Sequence, residues 1–197
     1  MQTMHKFLIG LVSLAIFSAA YGQAPVRVRG TISALNGDVL AVKTREGRDV
    51  ELKLAPDTAV VTTKKVTAAD FKAGSYVGVT SLKGADGKLV AKRVHALGPQ
   101  VPSSHGPWDS IPNSFMTNAT IESTATVGGN NELILKYKDG EQKILTNADT
   151  EYFNFDPGGR ADLKPGETIF SVARVGDDGK LLTPRIAVSK NGVKPPQ

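Results

Sequence analysis

The feature that most constrains the fold is an internal repeat, with a period of about 92 residues in a chain of 197. Four segments of the first half recur in the same order in the second half: LAVKTREG at 40–47 as LILKYKDG at 133–140, DT at 57–58 as DT at 149–150, DFKAG at 70–74 as DLKPG at 162–166, and DGKL at 86–89 as DGKL at 178–181. Four ordered matches are hard to obtain by chance, so we infer two copies of one module, at about 26–97 and 115–189.

The repeat divides the chain into five parts. We predict a signal peptide at 1–22, a first module at 23–98, a linker rich in Pro and Ser at 99–114, a second module at 115–190 and a C-terminal tail at 191–197. The chain has no cysteine, which excludes disulfides and thiolate metal sites.

The first 22 residues have the pattern of a secretory signal. A short basic start precedes an apolar run at 7–17, and small residues follow at 18–22, which predicts cleavage after Gly22. The apolar run is about 11 residues, and crossing a hydrocarbon core of about 30 Å takes roughly 20 residues of helix. We therefore expect an exported protein, periplasmic or secreted, with no membrane span in the mature chain. A retained membrane anchor is the alternative.

Within each copy the hydrophobic pattern has the period of a β-strand. Apolar and polar residues alternate at 26–33, 40–45 and 50–54, and again at 133–138, where Leu133, Leu135 and Tyr137 are predicted to face inward. The pairs Asn36-Gly37 and Glu46-Gly47 favour tight turns, so the first three strands should form a meander of hairpins.

A short helical turn should follow the third strand. Residues 67–74 offer Thr67 as an N-cap and Gly74 as a stop, and strands resume at 76–80 and 89–94 around the turn pair Asp86-Gly87. Three strands, a helical turn and two strands are the order of an OB-type barrel. The predicted fold is therefore all-β, with two tandem small OB-like β-barrel modules, each of five to six strands with a short helical turn. A small open β-sandwich is the alternative.

Four short segments also resemble a known family: RGTI at 29–32, LAVKT at 40–44, ADFKAG at 69–74 and DGKL at 86–89. They are similar to the exported bacterial family of tandem small OB-like β-barrel repeats catalogued as a domain of unknown function. The resemblance implies the fold of both modules and carries over no functional residue. Some similar chains are labelled metal-transporter permease, which implies at most an association with metals.

Basic residues are concentrated in the first module. Residues 23–97 hold 13 Lys and Arg against 7 Asp and Glu, whereas residues 98–197 hold 10 against 12. The outward positions of the first three strands collect six of these cations: Arg27, Arg29, Lys43, Arg45, Arg48 and Lys53. OB barrels often bind ligands over the second and third strands, and a basic face there suits phosphate or sulfate groups. An ordinary solvated face, with acidic residues interspersed, is the alternative.

The expected anions are those of the cell envelope. Binding of single-stranded nucleic acid usually adds aromatic stacking platforms, and these strands carry none. We therefore expect glycans or lipid head groups rather than nucleic acid.

The linker holds the only tryptophan of the chain, in the segment SHGPWD at 104–109. We predict that Trp108 packs between the modules, because a large ring in a loop gains most from burial. The alternative makes His105 and Asp109, together with His95, ligands of a divalent cation such as zinc or copper. The spacing of these residues is not a recognised ligand pattern.

Catalytic signatures such as G-x-S-x-G or H-E-x-x-H are missing from the sequence. We therefore expect a non-enzymatic protein without a cofactor, which acts as a periplasmic binding or assembly module with a protein or anionic glycan partner. The competing hypotheses are a metal-handling accessory protein and a binder of envelope glycans through the basic face of the first module.

Overall fold

The computed structural model describes residues 24–176 and 178–196. Over these ranges the protein is all-β, with twelve strands and two single-turn 3₁₀ helices. The predicted signal peptide at 1–22 lies outside the described residues. Within them, no helix has the length and apolar character needed to cross a membrane.

The strands fall into two groups that follow the sequence repeat. The first group is β1 (Val26–Asn36), β2 (Val39–Thr44), β3 (Asp49–Lys65), β4 (Tyr76–Lys83) and β5 (Leu89–Ala96), and β6 (Ser104–Trp108) follows it in the predicted linker. The second group is β7 (Ser114–Val127), β8 (Asn130–Tyr137), β9 (Gly140–Thr146), β10 (Glu151–Pro157), β11 (Thr168–Val175) and β12 (Leu181–Val188).

A first closed barrel is formed by β1, β2, β3, β12 and β11. The neighbours pair antiparallel, except β12 and β3, which run parallel and close the ring. The inward positions form one apolar core: Val28, Ile32, Leu40, Val42, Leu52, Leu54, Val60, Leu163, Ile169, Ala173, Ile186 and Val188.

A second closed barrel is formed by β7, β8, β9, β5 and β4. Its parallel contact is between β5 and β9, and the other neighbours run antiparallel. Its core is equally apolar: Phe71, Val77, Val79, Ala91, Val94, Ala119, Ile121, Leu133, Leu135 and Ile144.

The pairing corrects the prediction of two tandem modules. Each barrel takes its first three strands from one repeat and its last two strands from the other. Consecutive stretches such as 23–98 and 115–190 therefore do not close separately. The order of the strands along each repeat agrees with the prediction. The last two strands of each repeat, however, close the barrel that the other repeat begins.

The length of β3 accounts for this exchange. Its first part pairs with β2, and residues 61–65 then pair antiparallel with β10. A strand advances about 3.3 Å per residue, so residues 59–65 carry the chain roughly 23 Å onward. The following helical turn and the strands β4 and β5 then reach the other barrel.

The Asp-Thr motif of each repeat joins the exchanged strands. The Thr58 hydroxyl donates to the carbonyl of Thr183 on β12 at 2.9 Å, and the Thr150 hydroxyl donates to the carbonyl of Ala91 on β5 at 3.0 Å. Each threonine thus binds the last strand of the other repeat. Equivalent residues make equivalent contacts, so the exchange is reciprocal.

The helical turns are exchanged as well. Thr67 is the N-cap residue of the turn Ala68–Asp70, as predicted, and its amide donates a hydrogen bond to the Asp70 carboxylate at 2.8 Å. Gly74 ends the segment in the left-handed region, with a φ of 87°. The turn places Phe71 in the core of the second barrel, whereas Leu163, after the matching turn, packs in the first.

The predicted linker is partly a strand. Ser104–Trp108 forms β6, which pairs antiparallel with the start of β7. Residues 104–108 are therefore an additional strand on the second barrel and are not a free connection.

Candidate functional site: the mouth of the first barrel

The linker crosses from the second barrel to the first and docks on Arg29. Both guanidinium NH₂ groups of Arg29 donate to the Asp109 carboxylate, at 2.8 Å and 3.1 Å. The Arg29 side chain is only 5% exposed, whereas that of Asp109 is 50% exposed. The sequence placed Arg29 on an open basic face, and the structure buries it in a bidentate ion pair.

Two other cations of the predicted basic face hold the same segment. The Arg45 guanidinium donates to the backbone carbonyls of Asp109 and Ser110, both at 2.9 Å. Arg27 lies 3.9 Å from the Asp109 carboxylate and stacks on the Trp108 ring at 4.8 Å. Three of the six predicted ligand-binding cations therefore bind the protein's own linker.

Trp108 contacts both barrels. It belongs to β6 on the second barrel, and its ring lies under the guanidinium groups of Arg27 and Arg29 on β1 of the first, at 4.8 Å and 5.2 Å. Phe170 on β11 covers Arg29 from another side at 5.0 Å. Aromatic faces stabilise a cation where water is excluded, which makes burial of Arg29 tolerable.

The charge on Asp109 is maintained by its arginine partners. Partial burial alone would raise the pKa of this carboxyl, but the hydrogen bond and charge of Arg29, together with the charge of Arg27, hold the pKa below its ordinary value. Asp109 is thus a structural anion at neutral pH.

The remaining three predicted cations lie apart from the linker. Lys43 pairs with Asp49 at 3.4 Å, and Lys53 pairs with Asp178 at 3.6 Å, both at exposed positions. Within the described residues, the guanidinium of Arg48 has no hydrogen-bond or ion-pair partner.

Arg48 lies at the rim of a cavity that opens at one end of the first barrel. The cavity has a volume of about 270 Å³, and we call it the mouth cavity. The cavity is lined by the charged residues Arg27, Arg29, Glu46 and Arg48 and by Val28 and other apolar residues. Within the described residues, the Arg29 Nε atom is buried and has no hydrogen-bond partner. A buried donor of this kind favours an acceptor nearby.

His105 and Asp109, the predicted metal ligands, have other partners. The Nδ1 atom of His105 lies 2.8 Å from the Thr117 hydroxyl, and its ring stacks on Phe115 at 5.6 Å between centroids. Across the described ranges, no group of three or more His, Asp or Glu side chains is arranged to hold a metal ion. Asp109 is occupied by Arg29, so the structure offers no support for a metal at this pair.

His95, the third residue considered for metal binding, is buried where the exchanged strands meet. Its ring stacks on Phe153 at 5.0 Å and meets Phe155 edge-on at 5.8 Å. Burial, followed by the charges of Arg185 and Arg93, lowers the pKa of His95 to about 4. The imidazole is therefore neutral and packed like an aromatic core residue.

The pairing of Arg29 with Asp109 does not follow from the local sequence pattern. Alternation identifies Arg29 as pointing outward, and it does, but alternation does not reveal what covers the outer face. The tryptophan beside an aspartate in a linker was the available signal, because an aromatic ring next to an anion suits a buried arginine.

Comparisons with known proteins identify no relative. No family model, no curated protein and no solved structure matches the chain.

Proposed function

We propose that this protein is an exported, non-enzymatic binding module that holds an anionic group in the mouth cavity of the first barrel. The strand order of each barrel, assembled across the two repeats, supports an OB-like barrel, and OB barrels bind oligonucleotides and oligosaccharides on their surface. The resemblance to the exported bacterial repeat family and the signal-like residues 1–22 support the periplasm as the compartment.

One observation carries this proposal. Arg48 has no partner within the described residues, and it lines a cavity together with Arg29, whose buried Nε atom also has no hydrogen-bond partner among those residues. Arginine donors in a partly enclosed space bind carboxylate, sulfate or phosphate oxygens more strongly than exposed lysines do. The volume of about 270 Å³ matches a small group rather than a whole cofactor.

The proposed site contains fewer cations than the predicted basic face. Arg29 and Arg45 are engaged with the linker, and Lys43 and Lys53 have exposed acidic partners. Arg48, with support from Arg27, remains to meet an external anion. A glycan with a sulfate or carboxylate group and an acidic protein segment share this chemistry.

The proposal is tested with small anions. Sulfate and acetate are titrated into the protein at constant ionic strength, with chloride as the reference, and the side-chain Nε–Hε signals of the arginines are followed by NMR. We expect the Arg48 signal to shift and saturate, with a dissociation constant on the order of millimolar, and the melting temperature to rise with ligand concentration.

The variants Arg48→Gln and Lys43→Gln form a matched pair. Both remove one exposed cation from the first barrel, but only Arg48 lines the cavity. We expect Arg48→Gln to abolish the response to sulfate and acetate and Lys43→Gln to retain it. Equal responses of the two variants would show that anion binding depends on the overall charge of the protein and not on the mouth cavity.

A further inference from the structure

The internal repeat allows the ends of the two barrels to be compared residue by residue. Ile32 lies opposite Val42 in the first barrel, and Ile121 lies opposite Leu135 in the second. This match makes Val28 equivalent to Thr117, and the repeated segment 40–47 makes Thr44 equivalent to Tyr137. Val28 and Thr44 both line the mouth cavity.

In the second barrel the position equivalent to the mouth cavity is filled by the linker strand β6. β6 pairs along Ser114–Asn118 of β7, on the side opposite β4. His105 of β6 contacts Thr117 and the rings of Phe115 and Tyr137. These three residues are the equivalents of Val28, Val26 and Thr44, so His105 occupies the position that is a cavity in the first barrel.

Among residues 24–176 and 178–196, no strand pairs with the corresponding edge of β1 in the first barrel. β1 pairs with β11 from Val26 onward, but its pairing with β2 begins only at Gly30. Among the described residues no strand pairs with residues 26–29 on that side, where the second barrel has β6.

The backbone groups on this edge are oriented for pairing. The Ile32 amide donates to Glu167 on the β11 side, whereas the Arg29 carbonyl accepts from the Arg45 amide on the opposite side. Backbone groups alternate along a strand, so the N–H and C=O of Arg27 face this edge. An extended segment placed there would form the ladder that β6 forms with β7.

The residues around the mouth cavity differ in charge from their equivalents in the second barrel. Arg48 stands where the second barrel has Glu141, and Arg27 stands where it has Met116. A histidine suits the surroundings of the second barrel, and a carboxylate suits the two arginines of the first.

From these observations we propose that the first barrel binds an extended acidic peptide, which adds as a strand to the edge of β1 and inserts a carboxylate side chain into the mouth cavity. This partner class rests on the proposed function, because the same cavity supplies the anion site. Strand addition to an open sheet edge is a general mode of peptide recognition, in which backbone pairing supplies affinity and a pocket selects the side chain.

The probe is a capped hexapeptide, Thr-Ser-Glu-Gly-Val-Thr, with glutamate in the place of His105 of β6. We expect saturable binding by calorimetry, and hydrogen exchange of the Arg27 amide slowed by at least about tenfold in the complex. Replacing the peptide's glutamate with lysine should weaken binding by at least about tenfold. The Arg48→Glu variant should reverse this preference and bind the lysine peptide more tightly than the glutamate peptide.

Backbone methylation separates strand addition from simple charge attraction. In β6 the backbone groups of Gly106 face β7 and those of His105 face away, so a methyl group on the peptide's glycine nitrogen should abolish binding and one on its glutamate nitrogen should not. Equal binding of the two methylated peptides would overturn strand addition. So would an Arg27 amide that is already protected in the free protein, since the edge would then be occupied.

The two proposals fail separately. If sulfate and acetate bind at Arg48 but no peptide does, strand addition is wrong and the anion site stands, with a sulfated disaccharide as the next ligand class. If neither the small anions nor the peptides bind, both proposals are wrong.

Discussion

Two basic side chains, Arg29 and His95, are buried in different surroundings. The Arg29 guanidinium is paired with the Asp109 carboxylate and covered by two aromatic rings. His95 gives up its charge, because it is buried between phenylalanines with Arg185 and Arg93 nearby. The Nδ1 atom of His95 is buried and has no hydrogen-bond partner among the described residues. Protonation of His95 is therefore a route to destabilise the fold.

We predict that the protein loses stability in mild acid because of His95. The unfolded chain takes up a proton near the ordinary pKa of 6.5, whereas the folded protein takes it up only near 4. Between these values the unfolded state binds more protons, so the free energy of unfolding falls as the pH falls. From about pH 7 to about pH 5 we expect a loss of roughly 2 kcal/mol, measured by urea unfolding at each pH.

The variants His95→Gln and His105→Gln provide the comparison for this pH dependence. His95→Gln should remove most of the slope between about pH 7 and about pH 5, whatever its absolute stability. His105 is less buried, and burial lowers its pKa too, so His105→Gln should keep most of the slope. An unchanged slope in His95→Gln would contradict the assignment.

Among the individual elements, the linker strand β6 and the residues after it connect the barrels. β6 pairs with β7, while Trp108 and Asp109 dock on β1. Pro107 is compatible with this strand because the missing N–H would face away from β7. The linker is thus a structural element held by hydrogen bonds, an ion pair and ring contacts.

We predict that Asp109→Ala weakens this docking and destabilises the protein by about 2 kcal/mol. The substitution leaves the Arg29 guanidinium buried without its carboxylate, which destabilises the folded state. Because Asp109 is half-exposed, we expect a smaller loss than for breaking a fully buried ion pair. Urea unfolding followed by the fluorescence of Trp108 measures the change. Asp49→Ala is the control, because Asp49 is 81% exposed and pairs with Lys43 on the surface, where we expect less than about 0.5 kcal/mol. Equal losses in the two variants would argue against a structural role for the ion pair.

At the level of the whole molecule, the exchange of strands couples the two barrels. Each barrel contains two strands that belong to the other repeat. Loss of these strands from one barrel would therefore also disrupt the repeat that supplies them. The crossing of β3 and β10 adds direct pairing at 61–65 and 153–157. The molecule should therefore unfold as one unit, in contrast to two tandem domains.

We predict that a cavity in one barrel destabilises both. Leu135 is completely buried in the second barrel, so Leu135→Ala should cost about 2–5 kcal/mol. Native-state hydrogen exchange should show the same loss of protection at the amides of Val42 and Leu52, in the first barrel, as at Ile144 in the second. The reciprocal variant Leu52→Ala should lower protection in the second barrel. Unchanged protection at Val42 in Leu135→Ala would indicate that the barrels unfold independently.

The sequence by itself determined the repeat, the strands predicted within its copies, their inward faces and the turns, but not the linker strand β6. Strand alternation and turn chemistry are local properties, so the predicted strands at 26–33, 40–45 and 133–138 lie within β1, β2 and β8 or extend them by one residue. The helical turn after Thr67 was predicted for the same reason, since a cap and a glycine stop act within one segment.

The tertiary structure alone decided which strands close each barrel and which cations remain open. Two copies of one module present similar edges and apolar faces, so local pattern does not distinguish pairing within a repeat from pairing between repeats. The extension of β3 past the first barrel settles that choice. Arg29 and Arg48 likewise look equivalent in sequence, and they differ because Asp109, from a distant segment, reaches one and not the other.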